Sequence, residues 1–222
     1  MELSLVIPFY DEEENVETVI ASLINVLSKL HVRYEIIAVD NGSRDNTGKI
    51  IDKFTKRSDV KKVYVPINQG YGYGILEGLK ECKGTFLGYL WGDTEVPHES
   101  LLSIYHALKH EGYDLCKITR IKRDVPFLRK LQTRIYNGIM RYYFGIKSND
   151  ANGCPKVMRR NLYKKLKLES KDWFLDPEIM IKCKDYKIKE IPVLCEARKH
   201  GKSKIYFTTS FEFIKNIMRY KN

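Results

Sequence analysis

The chain has 222 residues, 43% hydrophobic and 30% charged, which supplies one sizeable core behind a soluble surface. No apolar run approaches the ~18 residues of a membrane-spanning helix, and the opening "MELSLVIPFY" lacks the basic region of a secretory signal. Cys82, Cys116, Cys154, Cys183 and Cys195 are scattered, odd in number and form no CxxC pair. That argues against a disulfide framework or a zinc ribbon, and for small core residues in a reducing compartment.

The first half alternates between two hydrophobic periods. "LSLVIP" reads as a strand, followed by a helix carrying Val16, Val19, Ile20, Leu23, Ile24, Leu27 and Leu30 at helical spacing. Asp11, three residues before Glu14, is the expected N-cap of that helix. "YEIIAVD" is a strand, "NTGKIIDKFTKR" a helix, "VKKVYVP" a strand and "GYGILEGLKECK" a helix. "TFLGYLW" is a strand, "HESLLSIYHALKHEG" a helix and "DLCKITR" a strand. Strands alternating with helices imply right-handed crossovers and a mostly parallel sheet. Ligands of such sheets bind beyond the carboxyl ends of the strands. The loops "PFYDEEEN", "VDNGSRDNT", "PINQGYGYG" and "WGDTEVP" all fall on that rim.

The second half is less regular. "PFLRKLQTRIYNGIMRYYFG" has the pattern of a basic amphipathic helix rich in aromatics. "GCPKVMRR" reads as a strand, "DPEIMIKCKDY" as a short helix, "KIKEIPVLCEA" as a strand, and "SFEFIKNIMRYK" as a last helix with Ile214, Ile217 and Met218 on one side. Charge divides the halves. Residues 1–112 hold 12 Lys/Arg against 17 Asp/Glu, net −5; residues 113–222 hold 27 against 11, net +16. A lysine-rich proteome would give basic residues anywhere, whereas this contrast points to an anionic partner met by the second half. The acidic first half would repel a nucleic-acid backbone, so no nucleic acid is expected.

The tip of the fourth strand carries the sharpest chemistry. Asp93 and Glu95, two residues apart after Gly92, can aim both carboxylates at one point, the oxygen ligation that a hard cation such as Mg²⁺ or Mn²⁺ takes. An ordinary turn closed by Pro97 is the alternative.

These pieces together resemble family 2 glycosyltransferases. "PFYDEEEN" resembles P-x-Y-N-E-x-x-N, "VDNGSRDNT" resembles V-D-D-G-S-x-D-x-T, and "NQGYGYGILEGL" resembles N-x-G-x-G-x-A-x-x-x-G. "GDTEVPHES" falls where the family has D-x-D followed by Q-x-P-P-E. "GCPKVMRR" and "KEIPVLCEARKHGKSK" match the branch that includes dolichol-phosphate mannose synthases, and the likeness runs from about residue 3 to about residue 206. The resemblance implies an α/β chain of GT-A fold: a Rossmann-like, mostly parallel sheet flanked by helices, with a smaller acceptor-side extension. It implies a single domain over 1–222, with a nucleotide-sugar half at 1–112 and a basic acceptor half with a C-terminal helix at 113–222. The implied activity is metal-dependent, inverting transfer of a sugar from a GDP-, UDP- or dTDP-linked donor to a polyprenyl phosphate.

By the same likeness, Pro8, Tyr10, Glu12, Asp40, Asn68, Gly70 and Gly72 form the donor pocket, Asp40 reading base or ribose and the glycines admitting backbone close to the ligand. Asp93 and Glu95 hold the metal against the leaving diphosphate. Three positions depart from the family pattern: Trp91 stands at the first Asp of D-x-D, Asn41 at the second Asp of V-D-D, and Glu95 where many relatives carry Gln. On the acceptor side, Arg123, Arg129, Arg134, Arg198 and Ser203 are the candidates to position a phosphate, Arg198 and Ser203 within R-x-x-G-x-S-K. A phosphate acceptor is already ionised. A hydroxyl acceptor, as in transfer to a glycan, would need a base, and Asp176 or Asp150 is then the candidate. Asp176 before Pro177 also reads as a helix cap. A non-catalytic nucleotide-sugar binding protein is a third reading, opposed by the intact acid pair. The basic helix could dock on an anionic membrane surface, or simply pack Leu128, Leu131, Ile135 and Ile139 on the core. The expected location is cytoplasmic, peripheral on the cytoplasmic face of a membrane.

Overall fold

A computed structural model describes residues 1–93, 95–122, 127–195 and 216. Among these residues seven strands form one sheet: β1 (Leu3–Phe9), β2 (Tyr34–Asp40), β3 (Val60–Tyr64), β4 (Phe86–Tyr89), β5 (Leu115–Lys122), β6 (Lys156–Arg159) and β7 (Ile188–Leu194). Their order is β3-β2-β1-β4-β6-β5-β7. The flanking helices are α1 (Val16–Ser28), α2 (Thr47–Phe54), α3 (Tyr71–Glu81), α4 (Ser100–His110), α5 (Phe127–Phe144), α6 (Arg160–Leu166) and α7 (Leu175–Lys182).

The unbroken apolar runs mark strands covered on both faces. Leu3, Leu5, Val6, Ile7 and Phe9 of β1 and Ile36, Ile37, Ala38 and Val39 of β2 are all buried. At ~1.5–3 kcal/mol for each fully buried large apolar side chain, these two strands anchor the domain. α1 buries Val16, Val19, Ile20, Leu23, Val26 and Leu27 on one face.

One local reading is corrected and another is completed. α1 begins at Val16 with Asn15 as its N-cap, and no side chain caps it. Asp11 instead adopts a positive φ of 48° and serves the neighbouring loop. The expected strand "GCPKVMRR" exists as β6, but it runs antiparallel between β4 and β5. The other strands share one direction, since β1, β2, β3 and β4 pair parallel and β7 pairs parallel with β5. β6 therefore brings its first residue, Lys156, to the rim where the other strands end. It aligns Lys156 with Tyr89 on one side and Lys117 on the other.

Candidate active site

The rim loops are laced to one another by the acids of the sequence motifs. Asp11 Oδ1 accepts the Arg44 N–H at 2.7 Å, and the Asp11 N–H donates to Ser43 Oγ at 3.2 Å. Glu13 accepts the Asn46 N–H at 3.0 Å while the Glu13 N–H donates to Asp45 at 3.1 Å. Glu12 donates its N–H to Thr47 Oγ1 at 2.9 Å and accepts Asn15 Nδ2 at 2.6 Å. The loops after β1 and β2 thus form one unit, and Asn41 Nδ2 extends it to the loop after β3 through the Gly70 carbonyl at 3.0 Å. Pro8 lies within the β1 ladder opposite Val39, and Tyr10 follows at its end.

Asp40 ends β2 and is 5% exposed. Its Oδ1 accepts the Ser43 N–H at 3.0 Å, so half of this carboxylate shapes the turn that follows. Its Oδ2 lies against Gly48, with no room there for a Cβ. Asn68 Oδ1 likewise shapes a turn, accepting the Gly70 N–H at 2.8 Å. Gly70 and Gly72 do permit a close approach, but to the protein's own chain. A Cβ at Gly72 would meet the Asp172 carbonyl oxygen at 2.7 Å and the Lys171 carbonyl carbon at 2.9 Å, and one at Gly70 would meet the Lys171 backbone. The Tyr73 N–H donates to the Lys171 carbonyl at 2.8 Å, and Trp173 stacks on Tyr71 with ring centroids 4.3 Å apart. A strap from the second half therefore lies across the first turn of α3. Buried Glu178 holds the strap by accepting the Glu169 and Ser170 N–H groups at 3.0 and 2.8 Å.

The β4 tip carries the expected acid pair. Asp93 is 9% exposed, and its Oδ1 accepts the Glu95 N–H at 3.2 Å. A Cβ at Gly92 would meet the Phe9 ring at 2.8 Å and the Pro8 carbonyl oxygen at 2.9 Å, so only glycine fits this turn beside β1. Among the described residues, no group of three or more His, Cys, Asp or Glu side chains could hold a metal ion. Two all-oxygen protein ligands suit a hard divalent cation whose other positions go to diphosphate and water.

Sequence reasoning missed Arg120. Its guanidinium lies 5.0 Å from the Trp91 ring centroid, within cation–π range, and is gripped by Asp150 through Nε at 2.8 Å and Nη2 at 2.7 Å. Both side chains are 8% exposed. Burial alone would raise the Asp150 pKa, but Arg120, with help from Lys117, holds it well below the ordinary carboxylate range. Where the family pattern places an Asp, this chain therefore sets an indole backed by a paired arginine. Cations inside the apolar strand "DLCKITR" were the available signal, because buried charges require partners.

Asp176 is 2% exposed and bound on both sides: Tyr89 Oη donates to it at 2.7 Å, and Lys156 Nζ pairs with it. It lies in the first turn of α7, whose N-cap is Phe174, so the expected cap is not formed. Beside it Lys117, fully buried, donates to Glu190 at 3.0 Å. Burial, then the nearby Lys156 charge, lowers the Lys117 pKa to about 8 against the opposing pull of Glu190 and Asp150. Three cations and three carboxylates thus interlock beneath the rim.

Arg123, Arg198, Ser203 and nearly all of the expected last helix lie outside the described residues. Arg129 lies on α5, and Arg134, also on α5, is exposed. α5 turns Asn137 and Met140 inward while leaving Leu131 42%, Ile135 55%, Tyr142 85% and Tyr143 56% exposed. Core packing therefore does not account for Leu131 and Ile135. No helix among the described residues is long and apolar enough to cross a membrane.

A sequence model described as "Glycosyl transferase family 2" matches residues 4–167. A dolichol-phosphate mannosyltransferase of Pyrococcus furiosus is 28% identical over 228 residues, covering 99% of this chain and 63% of its own. An undecaprenyl-phosphate 4-deoxy-4-formamido-L-arabinose transferase of Shewanella sediminis is 27% identical over 164 residues, covering 73% of this chain and 49% of its own. The chain spans from about half to under two thirds of the length of these relatives. Among solved structures, the Mycobacterium tuberculosis glucosyl-3-phosphoglycerate synthase bound to UDP superposes with a TM-score of 0.76 at 20% identity, over 98% of this chain and 79% of that one. Crystals of the same synthase with Mn²⁺, UDP and glucosyl-3-phosphoglycerate give a TM-score of 0.73 at 19% identity, over 98% of this chain and 77% of that one. At that identity the likeness is one of fold, the GT-A arrangement of sheet and helices.

Proposed function

The chain belongs to glycosyl transferase family 2, and from that premise we propose an inverting transferase that moves a sugar from a nucleoside-diphosphate donor to a polyprenyl phosphate at a membrane surface. Within one domain, residues 1–112 serve the donor and 113–222 the acceptor. The carrying observation is the state of the acids around the β4 tip. Asp150 is fixed by Arg120, and Asp176 by Lys156 and Tyr89. Neither stands ready to take a proton from a sugar hydroxyl. An acceptor phosphate needs no such base, being ionised already. The named activities of the two polyprenyl-type relatives support the same acceptor class.

In this reading Asp93 and Glu95 hold a Mg²⁺ or Mn²⁺ ion, which when bound offsets the charge of the departing diphosphate. A neighbour of the same fold is crystallised with Mn²⁺ and UDP, which favours a UDP-type donor and divalent metal use. The laced loops after β1, β2 and β3 fix the donor pocket, with Pro8, Tyr10, Glu12, Asp40 and Asn68 on its wall. The strap on α3 keeps that wall rigid, so the sugar carbon is presented in one orientation. The Arg120–Asp150 pair backs the Trp91 indole beside the β4 tip. Arg123, Arg129, Arg134, Arg198 and Ser203 remain the proposed phosphate-positioning set on the acceptor side. The exposed Leu131, Ile135, Tyr142 and Tyr143, interleaved with Lys130, Arg134 and Arg141, have the composition of a helix lying in an anionic membrane interface. The chain then works on the cytoplasmic face, held at the membrane surface by α5.

The test supplies the chain with radiolabelled nucleotide sugars and a lipid extract that contains no preformed glycan. Label should enter the lipid phase with wild type and not with Asp93→Ala. Label entering only after a glycan is added would replace this reading with transfer to a sugar hydroxyl.

A further inference from the structure

α4 carries a feature that the transfer reaction does not use. His106 and His110 stand one helical turn apart on its exposed side, with ring centroids 5.0 Å apart and planes tilted by 42°. Side chains at i and i+4 share a helix face, and two imidazoles so placed can grip one metal ion, as they do in helical zinc motifs. The helix is a firm support. Its other face buries Leu101, Ile104, Tyr105, Ala107 and Leu108, so the spacing of the two rings is set by the fold.

The surroundings sort the two nitrogens of His106. Glu111 Oε1 lies 3.4 Å from Nδ1, and the other Glu111 oxygen is paired with Lys189 Nζ at 2.5 Å. A carboxylate behind Nδ1 favours the tautomer with the proton on Nδ1, leaving the Nε2 lone pair for a metal, and orients the ring. The His106 side chain is 65% exposed, so Nε2 has access to solvent ions.

We propose that His106 and His110 chelate a divalent cation of the imidazole-preferring class (Zn²⁺, Ni²⁺ or Cu²⁺), with Glu111 orienting His106. Because no larger ligand group exists among the described residues, the protein supplies two nitrogens and water completes the shell. Nitrogen ligation separates this site chemically from the all-oxygen pair of Asp93 and Glu95, which suits Mg²⁺ or Mn²⁺. Topology separates it in space. α4 starts beyond the end of β4 and finishes near the start of β5, so His110 and Glu111 lie at the end of the sheet opposite the rim. A consequence is that activity tests with Ni²⁺ or Zn²⁺ load a second site.

The experiment titrates NiCl₂ into the full chain without nucleotide, followed by calorimetry and by paramagnetic broadening of the histidine imidazole signals. Wild type should bind one ion, with broadening centred on His106 and His110. His106→Gln and His110→Gln should each weaken binding at least about tenfold, since a single imidazole cannot chelate. Glu111→Gln should weaken it by about tenfold, the usual effect of losing a carboxylate behind a ligating imidazole. Asp93→Ala should bind Ni²⁺ as wild type does. Wild-type affinity in both histidine variants, or loss of binding in Asp93→Ala, overturns the proposal. The histidine variants leave Asp93 and Glu95 untouched, so this site is tested separately from the active site.

Discussion

Asp150→Asn removes one charge from a pair that is almost out of water. Asp150 accepts three bonds from Arg120: Nε at 2.8 Å, Nη2 at 2.7 Å and the backbone N–H at 3.1 Å. Each side chain is 8% exposed, so a stranded Arg120 gains little from solvent. Breaking a buried pair by removing one partner costs about 3–5 kcal/mol. Asn retains one acceptor oxygen, which places the expected loss at the lower end, about 3 kcal/mol. For a chain of this length 1 kcal/mol shifts Tm by about 2–4 °C, so melting followed by circular dichroism should drop by about 6–12 °C. The Asp150 pKa is depressed in the fold, so the pair stabilises fully above the unfolded carboxylate pKa of about 4 and fades as pH falls below it. The gap between wild type and variant should be constant from about pH 5 to 8 and narrow in acid. Adding Arg120→Met to Asp150→Asn should recover stability, because no buried charge is then left alone. A Tm within 2 °C of wild type, or additive losses in the double variant, would refute the pair as a buried, mutually dependent unit.

Three further outcomes follow from particular contacts. His98 is buried with Nδ1 2.9 Å from Ser22 Oγ, and burial lowers its pKa to about 4, only weakly opposed by Glu99. Between the unfolded value of about 6.5 and 4 the unfolded chain binds a proton that the fold refuses. About 3 kcal/mol of stability should therefore vanish as pH falls through that window, and denaturant midpoints for His98→Gln should show a flatter slope there. Gly72→Ala should lose about 1–3 kcal/mol, because its Cβ meets backbone of the Ser170–Asp172 strap that cannot swing aside; an unchanged urea midpoint would mean that the strap is loose. Reversing charge at Lys130 and Arg134 should reduce co-sedimentation with anionic liposomes at low salt, at about 1 kcal/mol per lost cation near the surface. Equal sedimentation of variant and wild type would count against α5 as the docking element.

The first half of the sheet was legible because its strands are buried on both faces and its helices on one, so the two periods separate cleanly in the sequence. "GCPKVMRR" was legible as a strand, yet its antiparallel place between β4 and β5 was not, since register and order depend on partners distant in sequence. That Asp93 and Glu95 follow a strand end was legible from the apolar run before them. Gly70 and Gly72 were singled out for the right physical property, tolerance of close approach, but the backbone they meet lies about 100 residues on. Asp11, Glu13 and Asp45 lace the rim loops together through hydrogen bonds that no local pattern encodes. Arg120 was passed over in favour of arginines on or before an amphipathic helix. A lone cation in an apolar strand is the less conspicuous pattern and here the more deeply embedded group.

The central claim is that a phosphate oxygen, not a sugar hydroxyl, attacks the donor. ³¹P NMR of the chain with a nucleotide sugar, Mg²⁺ or Mn²⁺ and a short-chain polyprenyl phosphate observes both partners at once. The monophosphate resonance should be replaced by a glycosyl phosphodiester, with one nucleoside diphosphate formed for each. Nucleoside diphosphate appearing while the lipid monophosphate stays unchanged would contradict the claim.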